Sequence, residues 1–185
     1  MNISWYKSKK VPTSSFELVL DCGLKEQIYK IKSYTVPDGS SEYKNIIEDD
    51  RIQRSIYDNE AIRKNLPTVC YNCHGLTLAN RRGWFTEPQR VIDNEGYQEL
   101  KGDEILRIGD IIAYYKKRNG SNRNIHTGII CNIEGCKVKE VSNKQSKGIK
   151  VLSKWGAFGE YIHGINSNPY NYDSIKFYRY LKTNH

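Results

Sequence analysis

No apolar run in this chain approaches the roughly 20 residues that a bilayer-crossing helix needs, so a membrane span is not expected. The opening residues, MNISWYKSKKVPTSS, carry lysines but no apolar core region of the kind a signal peptide has. The chain is therefore expected to be cytoplasmic, to be exported by a signal-peptide-independent route, or to be a mature fragment. No internal repeat or low-complexity tract stands out. The five cysteines are odd in number, and with no leader they argue against a secreted disulfide framework. Long basic tracts are missing too. Lys7, Lys9 and Lys10 form one small cluster and Lys116, Lys117 and Arg118 another. No nucleic-acid-binding signature accompanies them, so no specific nucleic-acid partner is expected.

What the chain does have is length enough for one domain with a real core, and an excess of positive charge. Its 185 residues include 29 basic and 21 acidic ones, a formal net charge of +8. Such a balance suits an anionic partner, although scattered lysines and arginines also read simply as a solvated basic surface. The apolar fraction of 38% is modest and the charged fraction ordinary, as in a globular, soluble chain.

Taken in order, Ser14 and Glu17 could form a capping box opening a helix through Phe16, Val19, Leu20, Leu24, Ile28 and Ile31. The segment 36–41 reads as a turn. A second helix is expected around Tyr43, Ile46, Ile47, Ile52, Ile56 and Tyr57, and a short third one from Asn59 to Leu66, stopped by Pro67. After a helix beginning near Cys73 and a polar stretch, strands are expected at 110–115, 125–131, 137–141, 149–152 and 175–181 from their β-branched and aromatic content. Helices first and an antiparallel meander afterwards make an α+β layout. The expected division is a helical extension over 1–64 and a main domain over 65–185.

The chemistry is expected in the stretch from Leu66 to Phe85, LPTVCYNCHGLTLANRRGWF. A cysteine in the first turn of a helix faces unpaired backbone N–H groups and the positive end of the helix dipole, and both favour thiolate over thiol. Cys73 is therefore the candidate nucleophile. His126, at the start of a strand, is the candidate base. A carboxylate on the next strand, Glu140, would bond the far ring nitrogen and stabilise the imidazolium, with Asn143 and Ser153 as competitors for that role. The backbone N–H of Cys73 would meet the oxyanion, with the side chain of Asn72 or Tyr71 as a second donor. His74 is read as a wall of the site, and Trp155 and His163 as shaping a substrate groove, though a Trp beside a Gly turn also fits plain packing.

Other readings of the same cysteines compete. Cys70-Tyr71-Asn72-Cys73-His74 spells the c-type haem attachment string, but that chemistry needs export and commonly a Met ligand, and the single Met is Met1. Cys70 and Cys73 also fit a redox pair, but no βαβ pattern precedes them. Zinc on Cys70, Cys73, Cys131 and Cys136 would have an unusual second spacing and a ligand inside an apolar strand. No metal or cofactor is therefore expected.

Four segments carry a family likeness: Asn72-Cys73-His74-Gly75-Leu76, then Arg107-Ile108-Gly109-Asp110-Ile111-Ile112, then His126-Thr127-Gly128-Ile129-Ile130, then Val138-Lys139-Glu140-Val141-Ser142. In that order they resemble the papain-like cysteine hydrolases of the NlpC and CHAP type, over about residues 66–155. Asn72 stands where that family usually has an acidic residue, and His74 where it usually has a small Ser. The stretch from Ser153 to Gly156, with Gly159 and His163, also resembles a pattern in uncharacterised bacterial domains of this general kind. The resemblance implies a papain-like fold with N-terminal helices on an antiparallel sheet of about five strands. It implies hydrolysis of amide bonds, with peptidoglycan peptide as the default substrate and Cys73, His126 and Glu140 as the triad. The same triad also serves protein-modifying effectors, such as glutamine deamidases and acyltransferases. A chain keeping the fold without the chemistry would be a binding or immunity module. The partners implied are peptidoglycan peptide or a protein substrate, and an immunity or secretion protein.

Overall fold

A computed structural model of the chain describes residues 12–19, 25–31, 41–58, 60–68, 70–141 and 148–181. Its centre is a seven-stranded antiparallel sheet in the order β3-β8-β7-β6-β5-β9-β4. The strands are β3 (Ile62–Asn65), β4 (Tyr97–Leu100), β5 (Ile111–Arg118), β6 (Ser121–Asn132), β7 (Lys150–Lys154), β8 (Glu160–Gly164) and β9 (Ser174–Tyr180). A separate two-stranded hairpin pairs β1 (Pro12–Val19) with β2 (Lys25–Ile31). The helices are α1 (Ser41–Tyr57), α2 (Cys73–Leu78) and α3 (Pro88–Asn94). No helix among the described residues is long and apolar enough to cross a membrane.

This architecture overturns the expected papain-like arrangement of N-terminal helices on a sheet of about five strands. The sheet has seven strands, and the described helices are three, two of them of six and seven residues. The error starts at 14–31, read as a helix from a capping box. The stretch Ser15-Phe16-Glu17-Leu18 equally alternates polar and apolar, and the chain follows that period of two: Phe16 stands opposite Ile28 and Leu18 opposite Glu26. Residues 62–65, read as the end of a helix, form the edge strand against β8. The expected strand at 137–141 is instead a 3-10 turn over Val138–Glu140, in which Glu140 Oε2 accepts the Lys137 N–H at 2.9 Å. Both β4 and β8 escaped the sequence reading. The helix over 41–57 and strands β5, β6, β7 and β9 formed where the apolar pattern put them.

The sheet buries both faces. On the first, Ile112, Tyr114, Ile130, Val151 and Phe177 pack with Leu100, Leu106, Ile149 and Ile165. On the second, Ile111, Ala113, Tyr115 and Tyr178 pack with Ile92 of α3 and with Leu78 of α2. Each pair of neighbours on β5 therefore divides between the faces, as the pleat requires. The Gly109-Asp110 segment of the family likeness locks the start of β5. Gly109 has φ +95°, and Asp110 takes the Arg107 N–H and two bonds from Arg179 at 2.7 and 2.8 Å. The C-terminal half of α1 docks on β8. Asp50 is buried and accepts the Gly159 N–H at 2.9 Å, Tyr57 meets Trp155 edge-on, and Asp58 accepts the Gly164 N–H. Residues 41–65 thus pack on the sheet that the following residues build.

Candidate functional site

Asn72 caps the short helix α2. Its Oδ1 accepts the N–H of Gly75 at 2.8 Å and that of Phe85 at 3.2 Å, while its Nδ2 donates to Phe85 O. Asn72 thus caps α2 and ties it to Phe85, using its Oδ1 twice and one of its two amide protons. Gly75 lets the Gly83 carbonyl close over the helix: a Cβ there would lie 1.9 Å from that oxygen. Tyr71 is held as well, its hydroxyl donating to Glu160.

Glu160 is a residue the sequence reading missed, and it organises the neighbourhood of Cys73. It is 1% exposed and accepts two bonds from Arg81, at 2.7 and 2.9 Å, one from Asn65 at 2.9 Å, and that of Tyr71. Its carboxyl is held below the usual carboxylate range by these donors, against the opposing push of burial. Arg81 itself sits at φ +63° just past α2. One buried carboxylate therefore ties the residue two before Cys73 to the chain just beyond the helix. Nothing in the local sequence signals this, because Glu160 lies 79 positions from Arg81.

Cys73 opens α2 and is 5% exposed. The backbone amides of Thr127, His74 and Cys73 itself and the ammonium of Lys154 act on the charge of its sulfur. These favour thiolate, but burial outweighs them and the thiol is pushed up to about 11. At neutral pH the resting group is a thiol. Lys154 is fully buried, with Nζ donating to the carbonyls of Gly156 and Phe158 and lying 5.3 Å over the Tyr71 ring. Burial pulls it down to about 8, with Cys73 and then Glu160 and Asp50 acting in the opposite direction.

His126 and Cys73 approach each other through the backbone rather than through their side chains. Thr127 stands opposite Ala113, and its Oγ1 lies 3.0 Å from His74 Nδ1, so α2 covers the Thr127 face of β6. His126 stands opposite Tyr114 and points to the other face, where its ring is 5.3 Å from that of Tyr114. Tyr170 stacks on it at 3.9 Å, with planes 16° apart. Neither ring nitrogen of His126 has a hydrogen-bond partner, the Cys73 sulfur included, and the ring is fully buried. Burial, then His163 and His74, hold it well below the usual histidine range, so it is a neutral imidazole. Cys73 and His126 therefore share no thiol–imidazole bond.

The other expected site residues scatter. Glu140 closes its own 3-10 turn and does not stand on a strand beside His126. Asn143 lies outside the described residues. Ser153 Oγ meets His163 Nε2 at 2.7 Å, and His163 Nδ1 donates to Gly164 O. Trp155 packs against Tyr161, His163 and Tyr57 and is 1% exposed. Trp155 and His163 are thus core residues on the His126 face rather than groove walls. His74 does line the site; burial pushes it down to about 3.

In front of Cys73 opens a cleft of about 970 Å³. Cys73, His74, Trp84, Tyr170 and the β5–β6 hairpin line it. Trp84 and Tyr170 carry no sequence signal, since both reach the cleft from irregular segments. Among the described residues no group of three or more His, Cys, Asp or Glu side chains is placed to hold a metal ion. The four described cysteines are free, Cys70 exposed and Cys73 buried. No protein-family model, curated protein or solved structure matches this chain.

Proposed function

We propose that the chain is a cysteine-dependent hydrolase of amide bonds, with Cys73 as nucleophile. The observation that supports this best is the sulfur's setting: Cys73 is the first residue of α2 and lines an open cleft. The unpaired backbone N–H groups at that helix start would hold the negative charge that develops on the oxyanion of a bound amide. The reading needs no papain-like layout; it needs a thiol, a base and a cleft.

His126 is the proposed base. Its imidazole is neutral and its nitrogens are unbonded, so a lone pair is available. Reaching the sulfur would require the imidazole itself, which lies on the face of β6 away from α2, to swing out as Tyr170 leaves its stacked position. The thiol proton would then pass to His126 as the Cys73 sulfur bonds to the amide carbon. The leaving amine would take that proton as the C–N bond breaks, and water would cleave the thioester. Lys154 would stabilise the thiolate by its charge.

Peptidoglycan peptide is the substrate class that the resemblance to NlpC-type and CHAP-type hydrolases supports, and a net charge of +8 suits an anionic wall. Zymography on purified wall tests this: the wild type is expected to clear and Cys73→Ala to be silent. A clearing band from the mutant would end the reading. The second form of it uses the same sulfur for glutamine deamidation, in which ammonia leaves and water remains the acceptor, or for acyl transfer, in which another nucleophile replaces water. Intact mass of candidate target proteins separates the two, since deamidation adds about 1 Da per glutamine.

A further inference from the structure

The wall of the cleft facing Cys73 is a hairpin with an unusual charge balance. Strands β5 and β6 turn through two residues, Asn119 and Gly120, at φ +49° and +80°. This is the tight turn that Asn-Gly favours, and it holds the flanking pairs in fixed register. Those pairs are Arg118 opposite Ser121 and Lys116 opposite Arg123. Three of these four residues are cationic, and Lys116, Arg118 and Arg123 all line the cleft. Lys116 is neutralised, its Nζ lying 2.8 Å from Asp173. Arg118 and Arg123 meet no carboxylate among the described residues. Among the described residues, Glu87 is the one carboxylate lining the cleft. The other polar side chains there are mainly amides, among them Gln89, Asn122 and Asn171.

We infer that this cleft takes an acidic peptide, whose carboxylates are held by Arg118 and Arg123 on the β5–β6 hairpin. The guanidinium matches a carboxylate with two parallel donors, and both arginines stand free to form such pairs. Amide side chains lining the cleft, Asn122 and Asn124 on β6 and Gln89 and Asn171 elsewhere, match a peptide backbone, which both donates and accepts. A peptide is favoured over a nucleic acid because the group at the end of the cleft is a thiol, which attacks carbonyl carbon. The assignment rests on the proposed hydrolase reading for its choice of peptide, but its test does not need turnover.

The test uses the full chain carrying Cys73→Ala and a fluorescein-labelled tetraglutamate peptide, read by anisotropy at low salt. A tetralysine peptide and a single-stranded oligonucleotide of equal charge are the comparisons. Arg118→Gln with Arg123→Gln is expected to weaken tetraglutamate binding by about fivefold or more. Lys101→Gln with Lys139→Gln removes the same charge from exposed pairs outside the cleft and is expected to change it less than about twofold. Equal losses in the two double variants, or no preference for tetraglutamate over tetralysine, overturn the inference. Tighter arginine-dependent binding of the oligonucleotide overturns the peptide class. Arginine-dependent peptide binding by a chain whose wild type cleaves nothing would sink the hydrolase reading alone. An active enzyme indifferent to both arginines would sink this one alone.

Discussion

Tyr170 lies flat on His126, ring centroids 3.9 Å apart, and so closes the imidazole off from the cleft that Tyr170 itself lines. Burial holds its phenol well above the usual tyrosine range, and charge on the nearby Cys73 sulfur pushes it further up. One aromatic ring therefore stacks on the proposed base and lines the same cleft as the proposed nucleophile. Truncating it separates packing from access. Tyr170→Ala is expected to lose about 3 kcal/mol of stability in urea unfolding, the usual cost of emptying a large aromatic site. It is also expected to make His126 react with diethyl pyrocarbonate, which the wild type resists. An unreactive His126 in a folded Tyr170→Ala variant would show that something else covers the ring.

The resting thiol of Cys73 is the subject of a second expectation. With its pKa near 11, it is expected to react with iodoacetamide at pH 8 about 100-fold more slowly than an ordinary cysteine of pKa near 8.5. Cys70 is exposed and serves as the internal reference. Peptide mapping of a timed reaction reads both sites at once. A Cys73 rate that levels off near pH 7 would mean that the three amides and Lys154 outweigh burial after all.

Acid should destabilise the fold through its buried imidazoles. His74, His126 and His163 are all pushed below the usual histidine value by burial, to about 3 for His74 and about 4 for His163. Below pH 6.5 the unfolded chain takes up protons that the folded chain refuses, so stability rises with pH in this window and falls as pH drops from 6.5 toward 4. Three such groups contribute about 4 kcal/mol per pH unit once the unfolded state is fully protonated. Urea midpoints at pH 7 and pH 5 measure this. His163→Gln should lower the slope by about one proton; an unchanged slope would mean that His163 is charged in the folded state.

Glu160 supports the α2 region from a distance of more than 70 residues. Glu160→Gln keeps the size but loses the charge that faces Arg81. Because Arg81 is 40% exposed, solvent screens the lost pair, and the expected cost is about 2 kcal/mol. Asn72→Ala removes the cap of α2 and is expected to cost about 1–2 kcal/mol. Both variants are expected to raise the iodoacetamide reactivity of Cys73 as the helix start loosens. A loss of stability with no change at Cys73 would limit Glu160 and Asn72 to scaffolding.

The sequence by itself determined the local elements: which stretches alternate or repeat, that Cys73 begins a helix, and that the chain is basic. These rest on neighbours within a few positions, where side-chain periodicity and backbone preference act directly. Where two periods were compatible, as at 14–31, the local signal could not choose. Only the tertiary structure decided that 62–65 adds a strand to β8, that His126 and Thr127 divide between opposite faces, and that Glu140 closes its own turn. Pairing between distant strands sets those outcomes, and the pleat sends adjacent residues to opposite sides once the register is fixed. Glu160 is the plainest case: its charge is satisfied by residues 79 to 95 positions away, and a buried carboxylate is stable only where such donors converge.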